Sequence, residues 1–206
     1  MNYSFLAAPF MFMSALLPYG NHVGVEAILD SHSVKIVSGT GHGSATHIGD
    51  GYFITAAHVI QKDITINTQL GREYDVEVMW VNNDYDVALV KSDVGEISTA
   101  AIDCRVPARG EDIMLSGSPM NMDFIDTWGR VSGDEMIDQG SWRRSVPVNV
   151  VIAPGMSGGG AFDADGDLVG IGVGVMIMPL GSGGGPVGLA YVVPASVVCM
   201  LMGRLS

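Results

Sequence analysis

The sequence predicts an all-β protein that ends in one short helix. Short apolar runs rich in Val, Ile, Thr and aromatic residues recur along most of the chain, as is typical of strands. Turn-forming residues separate these runs, for example at Gly49–Gly51, Asn82–Asp84 and Asp165–Gly166. Glycine accounts for 28 of the 206 residues, well above a usual share of about 7%. The abundance of glycine indicates many tight turns and close backbone approaches.

The predicted strands follow one another without a long linker or a change in composition. They are Val34–Val37, His42–Ile48, Tyr52–Ala56, Ile64–Asn67, Glu73–Val81, Val87–Val90, Asp112–Ser116, Thr127–Ser132, Ser145–Val151, Gly159–Asp163, Leu168–Val175 and Ala190–Val193. Residues Gly181–Gly188 are predicted to form a loop or a loose hairpin tip, and Ser196–Leu205, just after Pro194, a short helix. Because no strand–helix–strand alternation is present, we expect a closed all-β architecture.

Charge and hydrophobicity exclude several classes of protein. Lys and Arg number 10 against 22 Asp and Glu, which gives a formal net charge of −12. A chain this acidic has no bulk attraction to nucleic-acid phosphates or anionic lipid, so no nucleic-acid partner is predicted and membrane association is disfavoured. Hydrophobic residues make up 48% of the chain, which excludes intrinsic disorder.

The cysteines and the motif spacings give no support for a metal or a cofactor. Cys104 and Cys199 are too few for a disulfide scaffold. The sequence favours two buried free thiols and leaves their pairing open. No CxxC or HExxH motif is present, so neither a zinc site nor a cofactor is expected. Asp163, Asp165 and Asp167 lack the Glu that would complete a calcium loop, and a plain hairpin turn is expected there.

Residues 1–32 are predicted to form an apolar extension that precedes a domain at 33–206. The apolar run Phe5–Leu17 is shorter than the roughly 20 residues of a transmembrane helix. No Lys or Arg precedes Lys35, so the basic leader of a secretion signal is absent. Three interpretations stay open: a segment packed on the body or on a partner, which allows oligomers, an atypical signal, or a membrane-surface anchor. If residues 1–20 act as a secretion signal, the protein is expected to be secreted or periplasmic. If they do not, it is expected to be intracellular or virion-associated.

Two local patterns contain candidate residues for proton transfer. In Ile54–Val59 an apolar strand leads through small residues to His58, and an imidazole there could act as a general base. In Asn83–Val90 the carboxylate of Asp86 begins an apolar strand, where a charge is costly unless it is hydrogen-bonded. Asp86 is therefore expected to orient His58, although a strand-end histidine and a turn-capping aspartate are the simpler alternatives.

A third pattern, Pro154–Gly160, places Ser157 among glycines between two predicted strands. Nucleophilic acyl transfer requires an exposed hydroxyl and backbone N–H groups that converge on the developing oxyanion. The glycines permit the tight turn that aims such N–H groups, which we expect to come from Gly155 and Ser157. A flexible turn without a catalytic role is the alternative.

In the order His58, Asp86 and Ser157, the chain resembles the trypsin-like (chymotrypsin-fold) serine proteases, and within them the HtrA-like branch. The matching motifs are Thr55–His58, Asp86–Leu89 and Gly155–Gly159, with supporting similarity in Gly39–Ser44, Gly110–Pro119, Trp128–Ser132, Gly166–Ile171 and Leu189–Pro194. The resemblance implies two six-stranded antiparallel β-barrels, roughly 33–105 and 106–195, packed together with the site in the cleft between them. His58 and Asp86 would belong to the first barrel and Ser157 to the second.

The resemblance also implies where a polypeptide substrate binds. Its backbone is expected to pair with the strand that contains Gly172, Val173, Gly174 and Val175. The primary pocket is expected between that strand and a wall formed by Val150, Val151 and Ile152. No acidic residue is present where a trypsin-type pocket would have one, so cleavage after small or medium apolar residues is expected.

Some positions depart from the family pattern. Met156 stands where Asn or Asp usually precedes the serine, Gly160 replaces a Pro, and Asn149 stands where many HtrA-like relatives have Asp. No region of this sequence remains for a PDZ module, so PDZ-driven assembly is not carried over. The expected function is a serine endopeptidase. The alternatives are a catalytically silent binding or structural subunit, for example of a viral particle, and an esterase with the same three residues.

Overall fold

The computed structural model describes residues 32–95, 97–120, 122–180 and 183–203. The strands are β1 (Ser33–Ser38), β2 (Gly41–Gly49), β3 (Tyr52–Thr55), β4 (Ile64–Asn67), β5 (Glu73–Asp75), β6 (Glu77–Asn82), β7 (Val87–Lys91), β8 (Asp112–Gly117), β9 (Ile125–Arg130), β10 (Met136–Gln139), β11 (Trp142–Val148), β12 (Gly160–Phe162), β13 (Leu168–Leu180) and β14 (Gly183–Pro194). A 3-10 turn spans Ala57–Val59, and the α-helix α1 spans Ala195–Leu201.

The first sheet is antiparallel throughout and closes on itself. Its strand order is β5-β4-β1-β2-β3-β7-β6, so the two ends of the order are β5 and β6. Only Val76 separates these two strands in the sequence. One long strand, bent at Val76, therefore pairs with β4 through its first part and with β7 through its second. With β5 and β6 taken together, this sheet is the six-stranded barrel that the family resemblance implies.

The second sheet closes in a similar way. Its order is β10-β11-β14-β13-β12-β8-β9, and the chain runs directly from β9 at one end toward β10 at the other. Val131, just after β9, bridges Val148 at the end of β11. The Ser132 N–H also donates to the Pro147 carbonyl at 2.8 Å. The extension of β9 thus pairs with β11, which closes a second barrel.

The structure confirms the all-β class, the trypsin-like fold and the C-terminal helix. The main differences from the predicted elements concern the number of strands, residues 183–188 and the end of the helix. Two sheets of seven strands replace the expected six because the predicted strand Glu73–Val81 is split and because β10 was not predicted. Residues 183–188 belong to β14, where a loop or hairpin tip was expected. Helix α1 ends at Leu201, earlier than expected. The predictions for residues 1–31 lie outside the described residues, and no helix in the described ranges is long and apolar enough to cross a membrane.

The larger hydrophobic cluster joins the two barrels. It contains Phe53 and Ile54 from the first barrel and Phe162 and Leu168 from the second, all fully buried. A smaller cluster around Leu115 fills the second barrel. Because apolar burial is the main favourable term in folding, the shared cluster holds the barrels in one relative position. The cleft between them can therefore contain side chains from both.

The two cysteines form a disulfide, which corrects the expectation of free thiols. Cys104 and Cys199 are bonded, with their Cα atoms 5.7 Å apart. The segment before β8 lies beside the start of α1, where the Ser196 N–H donates to the Arg105 carbonyl at 3.2 Å. The sequence did not reveal this pairing because it depends on a contact between distant parts of the chain.

Arg105, next to the disulfide, lies at the centre of a cluster of carboxylates. Its guanidinium donates to Asp103, to both oxygens of Glu111 and to Asp163 at 2.5–2.8 Å. The hydrogen bond from Arg105 lowers the pKa of Glu111 below its ordinary value. The other oxygen of Asp163 accepts the N–H groups of Asp165 and Asp167. This region is thus a hydrogen-bonded turn, and no group of metal-ligating side chains is found in the described part of the chain.

Replacement of Glu111 by Gln is predicted to destabilise the fold in a pH-dependent manner. The pKa of Glu111 is depressed in the folded state, so its contribution is complete above the unfolded value of about 4.3 and is lost as the pH falls through the folded value. At pH 7 we expect Glu111→Gln to lower the free energy of unfolding by about 1–2 kcal/mol. Urea unfolding at pH 7 and at pH 3 tests this, with the exposed Glu77→Gln as control. If the difference in the free energy of unfolding between the wild type and Glu111→Gln is the same at both pH values, the account is contradicted.

Candidate active site

His58 lies on the 3-10 turn that follows β3. The turn is closed by hydrogen bonds from the Val59 N–H to the Ala56 carbonyl and from the Ile60 N–H to the Ala57 carbonyl. Ala57 and Val59 are buried, whereas the side chain of His58 between them is 48% exposed. Small or apolar neighbours therefore anchor the turn and present the imidazole at the surface of the first barrel.

Asp86 immediately precedes β7 and has a left-handed backbone, with φ at 59°. Aspartate tolerates this conformation better than most residues. The carboxylate lies 2.8 Å (Oδ2) and 3.0 Å (Oδ1) from Nδ1 of His58, and Oδ1 also accepts the backbone N–H of His58 at 2.9 Å. The indole N–H of Trp142 donates to Oδ2 at 3.0 Å. The structure thus places His58 and Asp86 in direct contact, with Nδ1 as the donor and Nε2 left to accept a proton.

Ser157 lies in the loop between β11 and β12 and is held against the first barrel. Its carbonyl accepts the N–H of Ser44 at 2.8 Å. A Cβ atom added to Gly43 would lie 2.6 Å from the Val59 methyl groups and 3.0 Å from the Ser157 carbonyl oxygen. Only glycine at position 43 therefore lets the serine loop approach the turn that carries His58.

Gly155 has a conformation that other residues rarely adopt. Its φ is 100°, and an added Cβ would collide with the ring of His42 and with the Ser118 carbonyl. Nε2 of His42 lies 3.0 Å from that same carbonyl oxygen. His42 and Ser118 thus form a wall behind the loop, and glycine is required in front of it.

The carbonyl groups that surround Ser157 are all held by hydrogen bonds. The Pro154 carbonyl accepts from the Met120 N–H (2.7 Å), and the Gly155 carbonyl accepts from the Ser44 hydroxyl (2.8 Å). The Met156 carbonyl accepts from the Gly159 N–H (3.0 Å), and the Ser157 carbonyl accepts from the Ser44 N–H (2.8 Å). Because C=O and N–H point in opposite directions across a trans peptide, each fixed carbonyl also fixes the next N–H. The Met156 N–H donates to the Ala153 carbonyl at 3.0 Å. Within the described residues, the N–H groups of Gly155 and Ser157 have no acceptor.

Met156 anchors this loop from the side of the second barrel. Its side chain is only 1% exposed and belongs to the smaller hydrophobic cluster. An added Cβ at Gly117 would lie 3.0 Å from the Met156 Cα atom, so the backbones pack closely there. The methionine that departs from the family pattern is therefore an apolar anchor for the loop.

The predicted substrate strand is part of β13. Strand β12 pairs with β13 only as far as Ile171, and Gly172 exchanges hydrogen bonds with Gly158 and Gly159 at 2.7 and 2.9 Å. Beyond Gly172, at Val173, Gly174 and Val175, this edge of β13 has no neighbouring strand within the described residues.

The three residues predicted to form the pocket wall have different surroundings. Val150 is buried in the smaller cluster, whereas Val151 is 70% exposed. Ile152 is half-buried, and its Cδ1 atom would lie 3.4 Å from a Cβ added to Gly172. Ile152 is thus the member of the three that lies against the predicted substrate strand.

Sequence reasoning missed three residues that surround the site: Ser44, His42 and Trp142. Ser44 and His42 lie in or beside a stretch that matches the family, but nothing in their local sequence indicates that they contact the loop at 153–159. Trp142 is 56 residues from Asp86 in the chain. Of the other histidines, His32 and His47 are buried in the first barrel, and burial lowers the pKa of His32. His22 lies outside the described residues.

Comparison with known proteins identifies the family of the chain. The family model described as a trypsin-like peptidase domain matches residues 43–171. The chain belongs to this family. The matched range includes the His58, Asp86 and Ser157 motifs, and DegP-like serine endoproteases are among the relatives, in agreement with the branch that the sequence indicated.

Individual relatives show the extent of the similarity. A probable periplasmic serine endoprotease, DegP-like, from Halomonas elongata is 30% identical over 72% of this chain and 31% of its own length. The periplasmic pH-dependent serine endoprotease DegQ of Escherichia coli is 29% identical over 81% of this chain and 37% of its own length. The chain thus spans about a third of these relatives. A solved HtrA-type protease, AlgW with tripeptide, has a TM-score of 0.76 at 21% identity and covers 87% of this chain and 61% of its own.

Replacement of Ser44 by Ala is predicted to loosen the serine loop. The substitution removes the hydroxyl that donates to the Gly155 carbonyl and accepts the Ser118 N–H at 2.9 Å. A neutral hydrogen bond is worth about 1 kcal/mol, and two are lost, so exchange of the Met156 amide proton should accelerate by about fivefold or more, as measured by NMR. Ser92→Ala is the matched control, because the buried hydroxyl of Ser92 donates to the Asp75 carbonyl in the first barrel at 2.7 Å. Equal acceleration in both variants would count against the proposed role of Ser44.

Proposed function

We propose that the chain is a serine endopeptidase in which Ser157 is the nucleophile, His58 the general base and Asp86 the residue that orients His58. The observation that carries this proposal is the contact between the Asp86 carboxylate and Nδ1 of His58. It leaves Nε2 of an exposed imidazole as the available base. The packing of Ser157 beside the turn that bears His58 supports its role as the nucleophile.

In the proposed reaction, Oγ of Ser157 attacks the carbonyl carbon of a peptide bond while Nε2 of His58 takes the hydroxyl proton. Asp86 stabilises the resulting imidazolium through Nδ1. The imidazolium then protonates the leaving amine, and an acyl-enzyme on Ser157 remains. Water repeats the sequence: His58 takes a proton from water, which attacks the ester, and returns that proton to Ser157.

The oxyanion of each tetrahedral intermediate would be bound by the N–H groups of Gly155 and Ser157. Both groups have no acceptor within the described residues, and both directions are set by hydrogen-bonded carbonyls. A preorganised donor of this kind lowers the barrier because it requires no reorganisation during the reaction. Every step uses side-chain and backbone groups of the chain itself.

A polypeptide substrate would add as a strand to the free edge of β13 at Val173–Val175. Strand addition supplies backbone hydrogen bonds that do not depend on sequence. Specificity would come from the pocket beside Gly172, where Ile152 restricts the space. We infer a preference for small or medium apolar residues before the cleaved bond.

An oxidising compartment outside the cytoplasm fits two independent observations. The disulfide between Cys104 and Cys199 is of a kind that is rare in reducing compartments. The Halomonas elongata and Escherichia coli relatives are named as periplasmic proteins. We therefore propose that this chain acts as a secreted or periplasmic peptidase.

The proposed function is tested by labelling with a fluorophosphonate probe, which reacts with activated serines. The wild-type chain should be labelled and should digest casein, and Ser157→Ala should lose both properties. Loss of a nucleophile of this type reduces the rate by about 10⁴-fold or more. The exposed Ser141→Ala is the matched control and should react as the wild type does. A folded wild-type chain that is never labelled would indicate a silent binding subunit, and hydrolysis of small esters without casein digestion would indicate an esterase.

The preference for apolar residues is tested by digestion of a proteome-derived peptide library, with cleavage sites read by mass spectrometry. Val, Ala, Ile and Leu should dominate the position before the cleaved bond. Ile152→Gly enlarges the space beside Gly172 and should shift the preference toward larger side chains by several-fold. Cleavage mainly after Arg or Lys would overturn this assignment.

A further inference from the structure

The carboxylate of Asp86 is held by three N–H donors, two from the first barrel and one from the second. The first barrel supplies the backbone N–H and Nδ1 of His58, at 2.9 and 2.8 Å. The second barrel supplies the indole N–H of Trp142, 3.0 Å from Oδ2. Oδ2 therefore accepts from Nδ1 of His58 and from Trp142 together. The side chain of Asp86 is only 12% exposed, so water offers little substitute for a lost donor.

The hairpin that carries Trp142 is docked on the turn that carries Asp86. Trp142 begins β11, and the next residue, Arg143, donates its backbone N–H to the Asp84 carbonyl at 3.3 Å. The guanidinium of Arg143 lies over the ring of Tyr85, 5.4 Å from its centroid, and approaches the Asp84 carboxylate at 4.0 Å. These contacts of Arg143, the residue next to Trp142, thus hold the hairpin β10–β11 against residues 84–86.

The indole ring itself is fixed by the strands beneath it. Its centroid is 5.2 Å from that of Tyr191 on β14. A Cβ atom added to Gly174 would lie 2.6 Å from Cη2 of Trp142, so the ring rests directly on the backbone of β13. Gly174 belongs to the proposed substrate strand. One side chain therefore contacts both the proposed orienting carboxylate and the strand that would receive substrate.

We propose that Trp142 is a positioning residue for the peptidase reaction. Its N–H sets the plane of the Asp86 carboxylate, so that Oδ2 faces Nδ1 of His58 and Nε2 is directed at the nucleophile. Without this bond only the two N–H groups of His58 hold the carboxylate, so its plane and the imidazole that it orients are less firmly fixed. Small misplacements of a catalytic group lower the rate steeply. The inference rests on the proposed function of His58, Asp86 and Ser157.

The test compares Trp142→Phe with Trp128→Phe, because Trp128 is 59% exposed on β9. We expect Trp142→Phe to lower kcat for a peptide substrate by about tenfold or more with KM changed less than twofold, and Trp128→Phe to match the wild type. A second variant carries β-(3-benzothienyl)alanine at position 142, which replaces the N–H by sulfur and keeps the bicyclic shape. It should show the same loss of kcat, even if Trp142→Phe fails to fold.

A spectroscopic measurement separates positioning from packing and does not depend on activity. The proton between Nδ1 of His58 and Asp86 should give a low-field NMR signal that shifts or broadens in both position-142 variants and is unchanged in Trp128→Phe. If the signal and kcat are both unchanged in the position-142 variants, the inference is overturned. An active wild-type chain would still support the proposed function in that case. A raised KM with unchanged kcat would also overturn it, since the ring would then act only through β13. An inactive, unlabelled wild type would contradict the proposed function itself.

Discussion

The hydrogen bonds that hold the carbonyl groups of Pro154 to Ser157 are the constraint on which the rest of the site depends. Two of the four come from Ser44, a residue of the first barrel, through its hydroxyl and its backbone N–H. The loop therefore has its conformation only while the barrels are packed together. This conformation also requires glycine at position 155, because φ is positive there and no space is left for a side chain. As a result, the N–H groups of Gly155 and Ser157 have no acceptor within the described residues. Met156, buried beneath them, adds an apolar anchor that involves no charge.

Contacts between the barrels also determine the environment of Asp86, the residue proposed to orient His58. Asp86 is in the left-handed region, which favours neither strand nor helix, and it is retained there by three N–H donors. Such local strain persists only where surrounding contacts over-determine the conformation. The shared hydrophobic cluster around Phe53 and Phe162 holds the two barrels together. The hydrogen bonds of Asp86 and Ser44 then fix the orientation of the groups in the candidate site. The hydrophobic cluster without these hydrogen bonds would give a stable β protein in which the groups of the candidate site had no fixed orientation.

The sequence was sufficient for the features that depend on local pattern. The strands around Ile54 and Val87 are short apolar runs between turns, and they were predicted within one or two residues of their ends. Strand β10 was missed because Met136–Gln139 alternates poorly and Asp138 has a positive φ, so its pairing with β11 overrides its propensity. The disulfide of Cys104, the bridge made by Ser44 and the contact of Trp142 were missed for a different reason. Each joins residues far apart in the chain, and no local signal reports the partner. Motif resemblance identified His58, Asp86 and Ser157 as the candidate reacting groups, but it contained no information on which side chains hold them.

The central proposal is that this loop presents the Gly155 and Ser157 N–H groups, which have no acceptor within the described residues, to an oxyanion without rearrangement. It is tested most directly by a crystal structure of the chain bound to a peptide boronate, whose tetrahedral adduct on a serine mimics the intermediate. The account predicts a bond from boron to Oγ of Ser157 and one boronate oxygen within about 3.1 Å of both the Gly155 and Ser157 nitrogens. The Pro154 carbonyl should remain bonded to the Met120 N–H. An adduct whose oxygen points away from these nitrogens, or one that forms only after the peptide between Pro154 and Gly155 has turned over, would contradict it.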